Sequence, residues 1–394
     1  MPANNTLLTI DMITKEALRI AHEKASFIGT TIRSYDPSFG KSGAKIGDTL
    51  RIRKPAQYVR TTGSRVMAVQ DSEQQQTVLT VATQDHVDIS FNSYERALKL
   101  DDFVKSHLEP AMAVLISGIE ADYIAAMTKA TYNQVGTPGT VPNDLEIFAN
   151  AQAKLNQYLA PQDDKRSNMV NSLTMAKMVG ANKGLFQDSA QIKEQYREGI
   201  IGRTTMADWY ANERVYRHTN GADVAGEVNM AAGVTEGATT VTVDGFTAAP
   251  TVGSVFTFEL SKAVHPETKQ SYSHLQQFVV TAATTTLITF SPAIYASGPK
   301  QNVTVLPADN DDIVFSGSVS TTYAQDLMYH EEAYAFATAD LPIMPGECSR
   351  RQYDGLSLRI WSDGDIRNDE LLTRIDILYG FAAIRPEWGV RISS

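Results

Sequence analysis

One cysteine, Cys348, stands in a chain of 394 residues, and no CxxC or Cys/His cluster accompanies it. An internal disulfide framework and a thiolate zinc site are thereby excluded, and a reducing folding compartment is expected. There is also no continuous apolar run near the roughly 18 residues that a membrane helix needs. The first twenty residues carry Asp11, Glu16 and Arg19, which reads as neither a secretory signal nor an anchor. A soluble protein made in a cytoplasm is the expectation. Net positive charge is lacking too: the total is −10, which argues against a surface devoted to neutralising nucleic-acid phosphates. An acidic protein can still line a container that holds DNA, because containment needs no phosphate grip.

Signatures of chemistry are equally sparse. Gly40-Lys41-Ser42 ends like a phosphate-binding loop, but Tyr35 occupies the place of its first glycine. His330-Glu331 lacks the second histidine of a zinc-protease helix, since Tyr334 stands there. Asp363-Gly364-Asp365 begins like a calcium loop, yet Arg367 takes the third ligand position. Asp309, Asp311 and Asp312 make an acidic turn. His22, His86, His107, His218, His265, His274 and His330 are scattered without ligand spacing. No catalytic residue, metal ligand or cofactor site is expected, and the chain does not read as an enzyme.

What is present is organised. With 43% hydrophobic and 20% charged residues the chain is long enough for two or three folded domains. An amphipathic helix is expected over 10–28, with Asp11 or Thr14 as cap and Gly29 as stop. The stretch 38–70 then differs in kind. Its alternating pieces Thr49–Arg53 and Tyr58–Arg60 predict a two-stranded ribbon without a buried face of its own. Lys41, Lys45, Arg51, Arg53, Lys54, Arg60 and Arg65 face the single acid Asp48, giving +6 and leaving −16 for the rest of the chain. The acidic body of another copy is the natural complement; a nucleic-acid arm fits less well with only Phe39 and Tyr58 to stack, and a solvated hairpin is the bland alternative.

Residues 77–91 read as a strand or strand pair, and 108–132 as a long helix with Pro110 in its tolerated first turn. Helices follow at 143–160, 173–179 and 189–196, with a short apolar piece at 168–170. From 226 to 306, runs at 239–243, 255–260, 278–281, 287–290 and 303–306 predict a small β-barrel or sandwich inserted into a larger domain. A helix is expected near 324–329. Closing strands at 356–361, 371–379 and 390–392 are expected to pair with the early strand and pack on the long helix.

Three stretches carry a family resemblance. They are Gly202-Arg203-Thr204-Thr205-Met206-Ala207-Asp208-Trp209-Tyr210 continuing through Val215 to Gly221, then Tyr329 to Pro342, and Asp376-Ile377-Leu378-Tyr379-Gly380 with Arg385-Pro386-Glu387. Together they resemble tailed-bacteriophage major capsid proteins of the HK97 type, in the short-tailed-phage branch with an inserted β-domain. The resemblance implies an α+β, HK97-like fold divided as N-terminal arm 1–36, extended loop 37–76 and peripheral domain 77–135 with its spine helix. The axial domain 136–225, insertion 226–306, second axial part 307–348 and peripheral return 349–394 complete it. It implies pentamers and hexamers closing into an icosahedral shell around double-stranded DNA, with scaffolding and portal proteins as partners, in a virion assembled in a bacterial cytoplasm. On this reading the seven basic ribbon residues contact a neighbour, whose candidate acidic surface is Asp85, Asp88, Glu95, Asp101, Asp102 and Glu109. Some relatives cross-link a loop lysine to an asparagine; Lys41, Lys45 and Lys54 are candidate donors and Asn368 a candidate acceptor, marked by no motif. Two other functions remain open. One is a bacterial nanocompartment shell; the other is a ligand-binding or enzymatic module using Phe246, Phe256, Phe258, Tyr272, Phe278, Phe290 and Tyr295 of the β-domain.

Overall fold

The structure, a computed structural model, describes residues 10–33, 49–63, 69–70, 75–92, 107–181, 203–353, 355–365 and 370–394. The chain forms two compact units. The first comprises Met1–Ile52, Thr77–Tyr123 and Tyr334–Ala382; the second comprises Arg53–Gln76, Ile124–Ala333 and Ala383–Ser394.

The helix Glu109–Ala130 is the longest, with Pro110 in its first turn as expected. Its 22 residues span about 33 Å at 1.5 Å each. By length and mean hydropathy this helix would suffice to cross a bilayer, an exception to the absence expected from the sequence. Its burial marks it as a core helix: Met112, Ile116, Ile119, Tyr123 and Ile124 are almost fully enclosed by protein. Glu120, buried midway along it, accepts from the backbone N–H of Phe27 and from Ser26 Oγ at 3.3 Å. It thereby serves the orphan donors of the one-turn helix Ser26–Gly29, which follows the helix Ile10–Lys24. Asp11, expected as a cap, instead receives hydrogen bonds from Arg351 and from Ser349 at 3.1 Å.

In the first unit a five-stranded sheet runs Tyr334–Ala339, Glu370–Ala383, Leu356–Asp365, Glu347–Tyr353, with Thr83–Asn92 also paired to Glu370–Ala383. That last pairing is antiparallel from Glu370↔Asn92 to Tyr379↔Thr83. The rings of Phe27, Tyr123, Phe336, Tyr379 and Phe381 form a continuous apolar cluster, with centroids 4.8–6.1 Å apart. At Gly380 a Cβ would lie 2.1 Å from the Thr80 carbonyl oxygen, so this close approach of two segments of the chain requires glycine.

The second unit has a sheet ordered Gln134–Val135, Gly389–Ser393, Thr322–His330, Arg166–Val170, Ala207–Ala211, Arg203–Thr204, with Arg217–Thr219 also paired to Thr322–His330. Two expectations are corrected. The segment 324–329 is a strand, not a helix: Gln325 to His330 are six consecutive buried residues, so both faces are covered and no period survives to be read. The closing piece 390–392 does not join the early strand; it pairs with Thr322–His330 and Gln134–Val135. The hairpin Arg203–Ala211 turns through Thr205 and Met206, both at φ 55°, and the Trp209 indole donates to the Thr204 carbonyl at 3.2 Å.

The inserted β-domain is a closed six-stranded barrel: Thr240–Asp244, Leu287–Ser291, Ser271–Ala283, Val255–Val264, Asp312–Phe315, Ala225–Val228. It reaches from Ala225 to Phe315, wider than the expected 226–306, and the expected strand at 303–306 reduces to a single bridge of Val303 with Ala263. Phe256, Phe258, Phe278, Phe290 and Phe315 fill its core with Phe246. The barrel is fastened to the rest of the unit by buried polar groups. Arg391, fully enclosed, donates to the carbonyls of Gly253 (2.6 Å) and Lys129 (3.2 Å) and to Gln325 Oε1 (3.0 Å). Gln277 clamps the Gln134 backbone at 2.8 and 3.1 Å and receives the Lys154 ammonium. The helix bearing Lys154, Leu145–Gln157, is capped by Asp144.

Two predictions follow from these buried groups. Replacing Arg391 with Met orphans three acceptors and should cost at least about 3 kcal/mol in denaturant unfolding; an unchanged midpoint would deny Arg391 its joining role. Burial pushes Lys154 down from 10.5 to about 7 and Asp326 up from 3.8 to about 7. The folded chain therefore holds an extra proton on Asp326 between pH 3.8 and 7, where stability falls as pH rises. It lacks one on Lys154 between 7 and 10.5, where stability rises with pH. In thermal melts across pH, Asp326→Asn should abolish the fall and Lys154→Met the rise.

Candidate assembly interface

The basic ribbon begins where Thr49–Arg53 pairs with Gln76–Thr80. Alternation divides the first strand: Ile52 is buried, while Arg51 and Arg53 are exposed on the opposite face. Lys54 continues the ladder by donating its N–H to the Gln75 carbonyl at 2.7 Å. Beyond it the expected strand at Tyr58–Arg60 is extended chain held by a side chain. The Gln70 carboxamide accepts from Val59 N–H at 2.8 Å and donates to Val59 O at 2.6 Å, standing in for a partner strand. Arg60 is exposed, and none of Arg51, Arg53 and Arg60 is ion-paired with a described residue. Lys41, Lys45 and Arg65 lie outside the described residues, as does the candidate cross-link acceptor Asn368.

The candidate acidic surface is only partly described. Asp85 and Asp88 sit on Thr83–Asn92, which pairs on one side with Glu370–Ala383. Asp85 accepts the Tyr379 hydroxyl at 2.8 Å, and burial together with that carboxylate pushes the Tyr379 phenol up. Asp88 contacts His86 Nδ1 at 3.0 Å and keeps most of its surface in solvent. Glu109 stands in the first turn of the long helix, where a carboxylate is favoured by the helix dipole. Glu95, Asp101 and Asp102 lie outside the described residues, as does the helix expected at 189–196.

Sequence reasoning missed Asp376. Fully buried, it accepts Arg359 Nε and Nη2 at 3.1 and 2.6 Å, Arg374 Nε, and Gln84 Nε2 at 3.2 Å, tying three strands of the first unit together. Burial would raise its carboxyl, and the Arg374 and Arg359 guanidiniums outweigh this and hold it below the ordinary aspartate value. Arg374 and Asp376 are two residues apart on one strand and Arg359 stands directly opposite Asp376 on the next, a charged pattern that looks in sequence like an exposed face.

Groups weighed for chemistry take structural places. His330 donates from Nε2 to Asp163 Oδ1 (3.0 Å) and accepts the Glu332 N–H on Nδ1. Asp363 and Gly364 lie within the strand Leu356–Asp365 rather than in a loop. Five of the barrel aromatics weighed as a groove are core, while Tyr272 and Tyr295 remain partly exposed. Among the described residues no group of three His, Cys, Asp or Glu side chains can hold a metal ion. A cavity of about 500 Å³ lies between ribbon residues Gln57, Gln70 and Gln75 and barrel residues Glu236, Tyr295 and Lys300, all of the second unit.

The family described as P22 coat protein, gene protein 5, matches residues 27–393. No curated protein matches the chain. Among solved structures, one from Mycobacterium phage Che8 is similar at 11% identity and TM-score 0.47, covering 92% of this chain and 90% of that one. The asymmetric unit of the bacteriophage PhiM1 mature capsid is similar at 8% identity and TM-score 0.44, covering 87% and 81%. A virus-like particle from Pyrococcus furiosus is similar at 8% and 0.41, covering 96% and 97%. These three likenesses are distant. The family match spans nearly the whole chain, and the α+β architecture with its barrel insertion agrees with the HK97-type fold expected from sequence. The chain belongs to the P22 coat protein family and is a phage major capsid protein that self-assembles into an icosahedral shell.

Proposed function

We propose that this coat protein assembles as pentamers and hexamers through its basic ribbon, which lies across an acidic surface of a neighbouring copy. The exposed pair Arg51 and Arg53, free of intrachain ion partners among the described residues, is the observation that carries this reading. Charge complementarity of that kind favours register and partner choice more than raw affinity. Repetition over many copies then turns modest contacts into a stable closed shell. Lys41, Lys45, Lys54, Arg60 and Arg65 add to the positive charge that the sequence concentrates in this stretch, and Asp85, Asp88, Glu95, Asp101, Asp102 and Glu109 are the candidate acceptors. The reading includes a scaffolding protein and a portal as partners, assembly in the host bacterial cytoplasm, and packaged double-stranded DNA held without sequence-specific contact. It assigns no catalytic step to the chain.

The triple reversal Arg51→Glu, Arg53→Glu, Lys54→Glu should leave a folded subunit that cannot close shells. Sedimentation velocity and negative-stain electron microscopy on protein co-expressed with neighbouring viral genes read the outcome. Normal particles from that variant would remove the ribbon from the contact.

A further inference from the structure

Four neighbouring strands of the barrel carry an unusual arrangement of charge. The ladder Phe256↔Phe315, Thr257↔Val314, Phe258↔Ile313 continues one step to set Glu259 opposite Asp312. Asp312 pairs with Glu227, and Glu227 pairs in turn with Asp244. All four side chains are exposed, while Phe258, Ile313 and Val243 beside them in the same strands point into the core. Four carboxylates therefore form one row across four strands, about 14 Å long at the usual strand spacing.

Like charges directly opposite one another destabilise a sheet. Among the described residues none of the four is ion-paired, and the only hydrogen bond to them from a side chain is Asn229 Nδ2 to Asp244 at 3.1 Å. From Ala225 to Phe315 the barrel has eight acids against Lys262, Lys269 and Lys300. A second observation stands apart from the row. Asp311 is only 5% exposed, and its Oδ2 is enclosed without a hydrogen-bond partner. Burial pushes its carboxyl up, and so do the Glu259 and Asp312 carboxylates. A buried acceptor left unsatisfied is costly, and Asp311 directly precedes Asp312 of the row in the chain.

The row suits a cationic partner other than a metal ion, because its carboxylates lie in a line rather than around a point. A line of carboxylates suits an extended strand that presents long cationic side chains at every second residue, about 6.6 Å apart. This chain contains such a strand: Arg51 and Arg53 are exposed on one face of Thr49–Arg53.

We propose that the row Glu259–Asp312–Glu227–Asp244 receives the basic ribbon of another copy of this chain, with Arg51 and Arg53 as its guanidinium ligands. This rests on the reading of the ribbon as an intersubunit contact and deepens it by naming an acceptor outside the strand-and-helix surface. The repulsion stored in the free barrel is then relieved only on assembly.

The test uses the full chain, co-expressed with neighbouring viral genes, in a ribbon variant (Arg51→Glu, Arg53→Glu), a row variant (Glu227→Lys, Asp312→Lys), and one variant that carries both sets. Each set alone should lose shells at least tenfold by sedimentation and electron microscopy. Carrying both in every copy should restore them, since each reversed ribbon then meets a reversed row at every contact, in pentamers and hexamers alike. Wild-type assembly by the row variant, or failure of the combined variant, would overturn the row as acceptor. Loss in the ribbon variant would still leave the intersubunit reading standing. The neutral variant Glu227→Gln, Asp312→Gln covers the case of misfolding. It should melt higher than wild type yet need at least tenfold more subunit to assemble; unchanged assembly there also overturns the proposal.

Discussion

Arg391 is the constraint on which the second unit depends. Its guanidinium is fully enclosed, and it reaches the barrel at Gly253, the long helix at Lys129 and the central strand at Gln325. A cation taken that far from water must be surrounded by acceptors, so these three elements can pack only in an arrangement that brings two carbonyls and a carboxamide to one point. The clamp of Gln277 on Gln134 and the bond of His218 Nε2 to Ser254 Oγ at 2.9 Å repeat the device along the same seam. Burial, with Arg391 and Lys129 nearby, depresses His218 to about 4, so this seam carries a neutral imidazole at physiological pH.

Within the first unit Asp376 does comparable work with the opposite sign. A buried carboxylate satisfied by two guanidiniums and an amide sets the strands Thr83–Asn92, Leu356–Asp365 and Glu370–Ala383 in register. Both units thus use their buried charges internally and leave a different set outside. The exposed arginines of the ribbon and the carboxylate row of the barrel lack intrachain ion partners among the described residues. In a shell-building protein that division is physically useful. Desolvated, hydrogen-bonded groups give a subunit one defined shape, whereas solvated charges can be exchanged between copies at little cost.

Much of the fold was legible because its signals are local. The long helix shows three- and four-residue spacing with Pro110 at its start. The barrel strands alternate Val and Phe with Thr. The ribbon stood out by its charge alone. The segment 324–329 failed for an opposite reason: covered on both faces, it kept no alternation, and its Ala, Leu and Met content reads as helix. The piece 303–306 failed because β-branched residues satisfy strand propensity whether or not a neighbour offers a ladder.

The sequence by itself determined where the chain is extended or helical, where its charge is concentrated, and which family it resembles, since each is carried by neighbouring residues. Tertiary structure alone decided which strands meet. It brought Glu259, Asp312, Glu227 and Asp244 into one row from positions up to 85 residues apart, and it sent the last strand to Thr322–His330 rather than to the early strand. Register between distant strands is set by how side chains fill a shared core and satisfy buried donors, and that information belongs to pairs of residues rather than to any stretch of sequence.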